Sequence, residues 1–72
     1  MRESDAETAV ILEWSRWAPR NFPNRPELTK ADAQMFFAYL QTEKPHLLAF
    51  ETTRDKSQVV HGWLLRRSFV VD

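Results

Sequence analysis

The sequence predicts a compact all-α domain: three helices, a proline-rich connector and a short extended C-terminal tail. Capping signals and apolar periodicity carry that prediction. Ser4-Asp5-Ala6-Glu7, Thr29-Lys30-Ala31-Asp32 and Asp55-Lys56-Ser57-Gln58 each place a capping side chain three residues before a carboxylate or amide. At that spacing the first residue accepts from the third helical N–H, and the last reaches back to the cap backbone. One such match is common by chance. Three, each opening an apolar run at helical spacing, are not.

The first helix is expected over residues 5–17, with Ala6, Val10, Trp14 and Trp17 on one face and Ile11 at its edge. Pro19 should end it, because proline disfavours helix in the residue before it. Pro19, Pro23 and Pro26 then make a stiff, extended connector in which Phe22 plugs the core. The second helix is expected over 30–42. Ala33, Phe36, Phe37 and Leu40 form its main stripe, and Met35 and Tyr39 a second apolar ridge about 200° away. A helix apolar on two sides is either central to its domain or offers one side to a partner.

Residues 45–50 read as a short helical turn or an irregular link, since Pro45 suits the first position of a helix. The third helix is expected over 56–67, with Val59, Val60, Trp63 and Leu64 inward and Arg66 and Arg67 where cations offset the C-terminal dipole. Gly62 counts against it by about 1 kcal/mol relative to Ala, unless it marks a close helix–helix approach. The competing architecture keeps two helices and pairs 46–52 with 58–65 as a β-hairpin; the cap and the 59/60/63/64 spacing favour helix. Residues 68–71 read as an extended segment folding back on the core.

Seventy-two residues allow a single domain spanning 1–72 and one hydrophobic core. There is no cysteine, so neither a disulfide nor a thiolate metal site can staple it. Stability must come from large side chains: Trp14, Trp17, Trp63, Phe22, Phe36, Phe37, Tyr39, Phe50 and Phe69. Each aromatic removes roughly 150–250 Å² from water when buried, and a core of this size supplies about 3–5 kcal/mol.

Ten basic residues balance ten acidic ones, which argues against a nucleic-acid coat protein or a polybasic membrane binder. The charge is nonetheless segregated. Residues 14–30 carry Arg16, Arg20, Arg25 and Lys30 against Glu27, and 54–67 carry Arg54, Lys56, Arg66 and Arg67 against Asp55. No leader-like segment and no membrane-length apolar run is visible, so a cytoplasmic location without membrane attachment is expected.

Catalytic signals are weak. One glycine leaves no phosphate-cradling loop. His46 and His61 are the only imidazoles and lack the company that a metal centre demands. Asp55, Ser57 and His61 lie close in sequence, but a triad also needs an oxyanion hole and a cleft; a capped helix is the simpler reading. No enzymatic activity, cofactor, metal or small-molecule substrate is expected.

Two surfaces stand above that background. Met35 and Tyr39, with the apolar Leu65 on the third helix, are candidates for a protein interface, because Met and Tyr are favoured there. Arg54, Gln58, His61 and Arg66 are side chains able to read bases and phosphates from the third helix. Trp14 and Trp17 invite a base-stacking role, but their spacing beside Ala6 and Val10 is that of a core stripe. The leading expectation is a non-catalytic protein-interaction or regulatory module that binds a protein partner or a second copy of itself. The alternative is a small DNA-binding domain of helix-turn-helix type, its third helix in the major groove.

Overall fold

The computed structural model describes residues 2–71. It contains three α-helices, α1 (Glu3–Asn21), α2 (Lys30–Glu43) and α3 (Lys56–Arg66), with a 3₁₀ turn at Pro45–Leu48. The helices pack pairwise, and the 3₁₀ turn sits against α1 and α2. The hairpin alternative fails: 58–65 lie inside α3, and the one β-type pairing among the described residues is an isolated parallel bridge between Thr29 and Val71.

Helix α1 departs from the sequence reading at both ends. Ser4 does not cap it. The Ala6 N–H bonds to the Arg2 carbonyl at 2.9 Å, and Glu3 and Asp5 occupy the first turn, where carboxylates meet the positive end of the helix dipole. At the other end the helix runs through Pro19 to Asn21. Proline removes one N–H and crowds the carbonyl four residues earlier, here that of Ser15. Both Ser15 and Pro19 face solvent, so water can solvate that carbonyl. The inner face of the same turn is held by packing: Ala18 is buried, and Trp17 meets Phe22 edge-on at 5.3 Å. Two backbone acceptors in this turn are also satisfied, Trp17 by the Asn21 side chain at 2.8 Å and Ala18 by the Phe22 N–H at 2.8 Å.

Helix α2 opens with the capping box formed by Thr29 and Asp32. One Asp32 oxygen accepts from the Thr29 N–H at 2.8 Å and the Thr29 hydroxyl at 3.2 Å. Both Asp32 oxygens also accept from the Arg25 guanidinium, at 2.9 and 3.3 Å. Asp32 is 4% exposed, and a buried carboxylate persists only with such company. The same clasp ties the proline-rich connector to the start of α2.

Asp55 caps α3, accepting from the Ser57 N–H at 2.8 Å and the Ser57 hydroxyl at 2.6 Å. Its far end closes on a non-glycine residue. Ser68 has φ 62°; the Ser68 N–H bonds to the Leu65 carbonyl and the Phe69 N–H to the Leu64 carbonyl, each at 2.9 Å. That paired pattern satisfies the last helical carbonyls and reverses the chain. The tail then runs back, the Val71 N–H bonding to the Leu28 carbonyl at 2.7 Å while Val70 is buried.

The core takes Ala6, Val10, Trp14 and Ala18 from α1, Ala33, Phe36 and Leu40 from α2, and Val59, Val60, Trp63 and Leu64 from α3. Leu47, Leu48 and Phe50 close one end. Phe36 stands at the middle of an aromatic cluster, with ring centroids 5.1 Å from Trp14, 5.2 Å from Trp17 and 6.2 Å from Tyr39. A second pair joins Phe50 to Trp63 at 5.2 Å. Phe69, expected to help hold the core, is instead 39% exposed. No helix among the described residues is long and apolar enough to cross a membrane.

Candidate interaction surfaces

Antiparallel packing of α2 and α3 leaves a trough along their shared outer side. One part, of about 510 Å³, is lined by Ala33, Gln34 and Phe37 from α2 and by Gln58, His61, Gly62 and Leu65 from α3, with Lys30 and Ser57. Past Phe37 and Ser57 the surface continues toward Gln41, Pro45 and Leu48. Phe37 and Leu65 are partly buried against the core and give the trough apolar walls between amide and hydroxyl groups. Gly62 marks no close approach inside the domain: a side chain built there would meet nothing within 4 Å.

The residues expected at a protein interface do not share one surface. Met35 is 55% exposed on α2. Tyr39 turns toward α1, stacking on Trp17 at 5.7 Å and donating its hydroxyl to Glu13 at 2.6 Å. The Glu13 bond and burial together raise the Tyr39 pKa above the ordinary phenol value, because the carboxylate favours a protonated hydroxyl beside it. The expected Met35–Tyr39 ridge is therefore split, since α1 covers half of it. Leu65 lies on the α3 wall of the trough. In the sequence Leu65 stands out as an apolar interface candidate on the third helix, whereas Phe37, its counterpart in the trough, is hidden within the stripe of the α2 core residues.

The four residues expected to contact nucleic acid also separate. Gln58 and His61 line the α2/α3 trough. Arg54 and Arg66 face α1 across a smaller groove of about 250 Å³. Arg54 pairs with Glu3 at 3.3 Å, and Arg66 and Arg67 converge on Glu7 at 3.0 and 3.3 Å. Exposed pairs like these contribute little to stability, about 0–1 kcal/mol each, but they neutralise the basic stretch of α3 inside the molecule. The α2–α3 connection is residues 44–55, against the turn of about three or four residues that joins a helix-turn-helix.

Among the described residues no group of three His, Cys, Asp or Glu side chains comes together as metal ligands would. The Ser57 hydroxyl is engaged with the capping Asp55 carboxylate. Those hydrogen bonds from Ser57 hold the Asp55 pKa below the usual carboxylate range. Comparison of the chain with protein-family models, curated proteins and solved structures finds no match.

Proposed function

We propose that this domain is a non-catalytic binding module whose partner is a protein segment seated in the α2/α3 trough. The supporting observation is the trough itself: apolar walls at Phe37 and Leu65, hydrogen-bonding rims at Gln34, Gln58 and Ser57, and open space over Gly62. A helix or peptide laid there would cover the apolar walls while the rim groups kept hydrogen-bond partners. Gly62 weakens α3 by about 1 kcal/mol relative to Ala, and nothing within the domain requires the missing side chain. A partner backbone approaching closely would require it. A second copy of the chain is the first partner to test, since two identical troughs can pair across a two-fold axis.

The test compares self-association by sedimentation, and capture of partners on an immobilised domain, for wild type, Gly62→Ala and Leu65→Glu. Gly62→Ala should raise the melting temperature, by about 0.5–1 kcal/mol of added stability, and weaken association. Leu65→Glu should abolish association while the helical signal persists. Association insensitive to both changes removes the trough from consideration. The alternative, α3 as a DNA-recognition helix, has less support, because Arg54 and Arg66 are already paired with Glu3 and Glu7 and the α2–α3 connection is long.

A further inference from the structure

The cations of the molecule fall into two sets. Arg25, Arg54, Arg66 and Arg67 each touch a carboxylate, and Lys56 donates to the Leu48 carbonyl and lies over the Phe50 ring. Arg2, Arg16, Arg20, Lys30 and Lys44 have no acidic partner among the described residues. Three of these five, Arg16, Arg20 and Lys44, line one groove of about 490 Å³ between α1 and the C-terminal end of α2. It lies at the opposite end of α1 from Glu3 and Glu7, away from the α2/α3 trough.

The groove contains one carboxylate, Glu13, and that group accepts the Tyr39 hydroxyl. Glu43, at the end of α2 beside Lys44, also acts on Tyr39, so three cations stand against two acids, one of them committed to the Tyr39 hydroxyl. Arg20 and Lys44 stand at helix C-termini, where a cation offsets the dipole. Arg16 does not, and it stands one turn before Arg20, an i, i+4 pairing of like charges that destabilises a helix. An anion bridging the two would relieve that repulsion. Two of the three cations are arginines, whose planar, weakly hydrated donor fork matches phosphate oxygens. Three cations lining one groove also exceed what the two nearby carboxylates would neutralise.

We infer that the Arg16–Arg20–Lys44 groove binds a phosphate-bearing ligand, either the backbone of a nucleic-acid strand or a free phosphorylated compound. Trp17 and Tyr39 at its floor stack on each other within the aromatic cluster, so recognition is of the phosphates rather than of a stacked base.

The full chain is titrated with inorganic pyrophosphate and, separately, with a short single-stranded oligonucleotide, at about 50 mM salt where phosphate contacts are strong. Amide shifts should centre on residues 16–21 and 44. For the oligonucleotide, three neutralised phosphates give a log–log salt slope near −2. The Arg16→Ala, Arg20→Ala double variant should bind at least about tenfold more weakly with its helical signal retained, since both side chains are exposed. Lys44→Ala alone should also weaken binding, while Arg54→Ala with Arg66→Ala should leave it unchanged. Binding of the oligonucleotide alone identifies the ligand as a strand; comparable binding of pyrophosphate identifies a free phosphorylated compound. The inference is overturned by an absence of shifts with both probes, by shifts centred on 54–67, by indifference to the Arg16 and Arg20 changes, or by equal binding of poly-glutamate.

Discussion

Ser68 holds a left-handed backbone with a side chain that disfavours it. At φ 62° an L-residue carries a steric penalty that glycine escapes, of about 1–2 kcal/mol, partly offset by the greater freedom of glycine in the unfolded chain. Ser68→Gly is expected to stabilise the domain by about 0.5–1 kcal/mol, measured as a higher denaturation midpoint at an unchanged slope. A lower midpoint would mean that the turn is held by something other than its backbone. Tyr39 offers a second single-residue probe, because it is the one tyrosine in the chain. Its raised pKa has a definite consequence: the unfolded phenol ionises at about pH 10 while the folded one still holds its proton. The stability contributed by the protonated form is full below that pH and is lost as pH rises through the folded value. Phenolate absorbance should show a midpoint above the ordinary phenol value, and Glu13→Gln should move it back down.

Capping decides how the elements begin, and the three caps of this chain behave differently. The Thr29–Asp32 box forms and gains Arg25 as a further donor. Asp55 caps α3 as its position suggested, with Ser57 supplying the partner groups. Ser4 is passed over, because α1 starts earlier, with Arg2 at its N-cap position. The lowered pKa of Asp55 makes its cap pH-dependent. Its stability contribution is present above the ordinary carboxylate value and is lost as pH falls through the lower folded value. Asp55→Ala should therefore melt below wild type at neutral pH, and the gap should close in strong acid. A gap that persists there would assign the cap effect to backbone conformation rather than to the carboxylate. The extension of α1 through Pro19 follows the same logic from the other side: local preference says stop, and contacts made by Trp17 and Ala18 carry the helix on.

For the whole molecule, one aromatic cluster joins α1 to α2 while Phe50 and Trp63 brace α3. Phe36 is fully buried at the centre of that cluster. Phe36→Ala should cost about 3–5 kcal/mol, close to the whole stability of about 3–5 kcal/mol available to a domain of this size, and Trp63→Ala should behave alike. Both variants should be largely unfolded by circular dichroism at room temperature, with Phe36→Leu intermediate. Wild-type melting in either alanine variant would show that the core lies elsewhere.

Helical class and the inward faces of all three helices were legible in the sequence, because 3.6-residue periodicity and caps are local properties that each segment carries with it. Of the stripes read as 6/10/14/17, 33/36/37/40 and 59/60/63/64, all are buried except Trp17 and Phe37, which pack partly buried against the core. Surfaces were not legible in the same way. Whether Tyr39 faced a partner or α1, whether Arg54 and Arg66 were free or neutralised, and which cations met in one groove all depend on residues far apart in sequence. Glu13 lies 26 positions from Tyr39, and Glu7 lies 59 from Arg66. Periodicity fixes which side of a helix is apolar; only the docking of helices against one another decides which polar groups that side and its neighbours are left to meet.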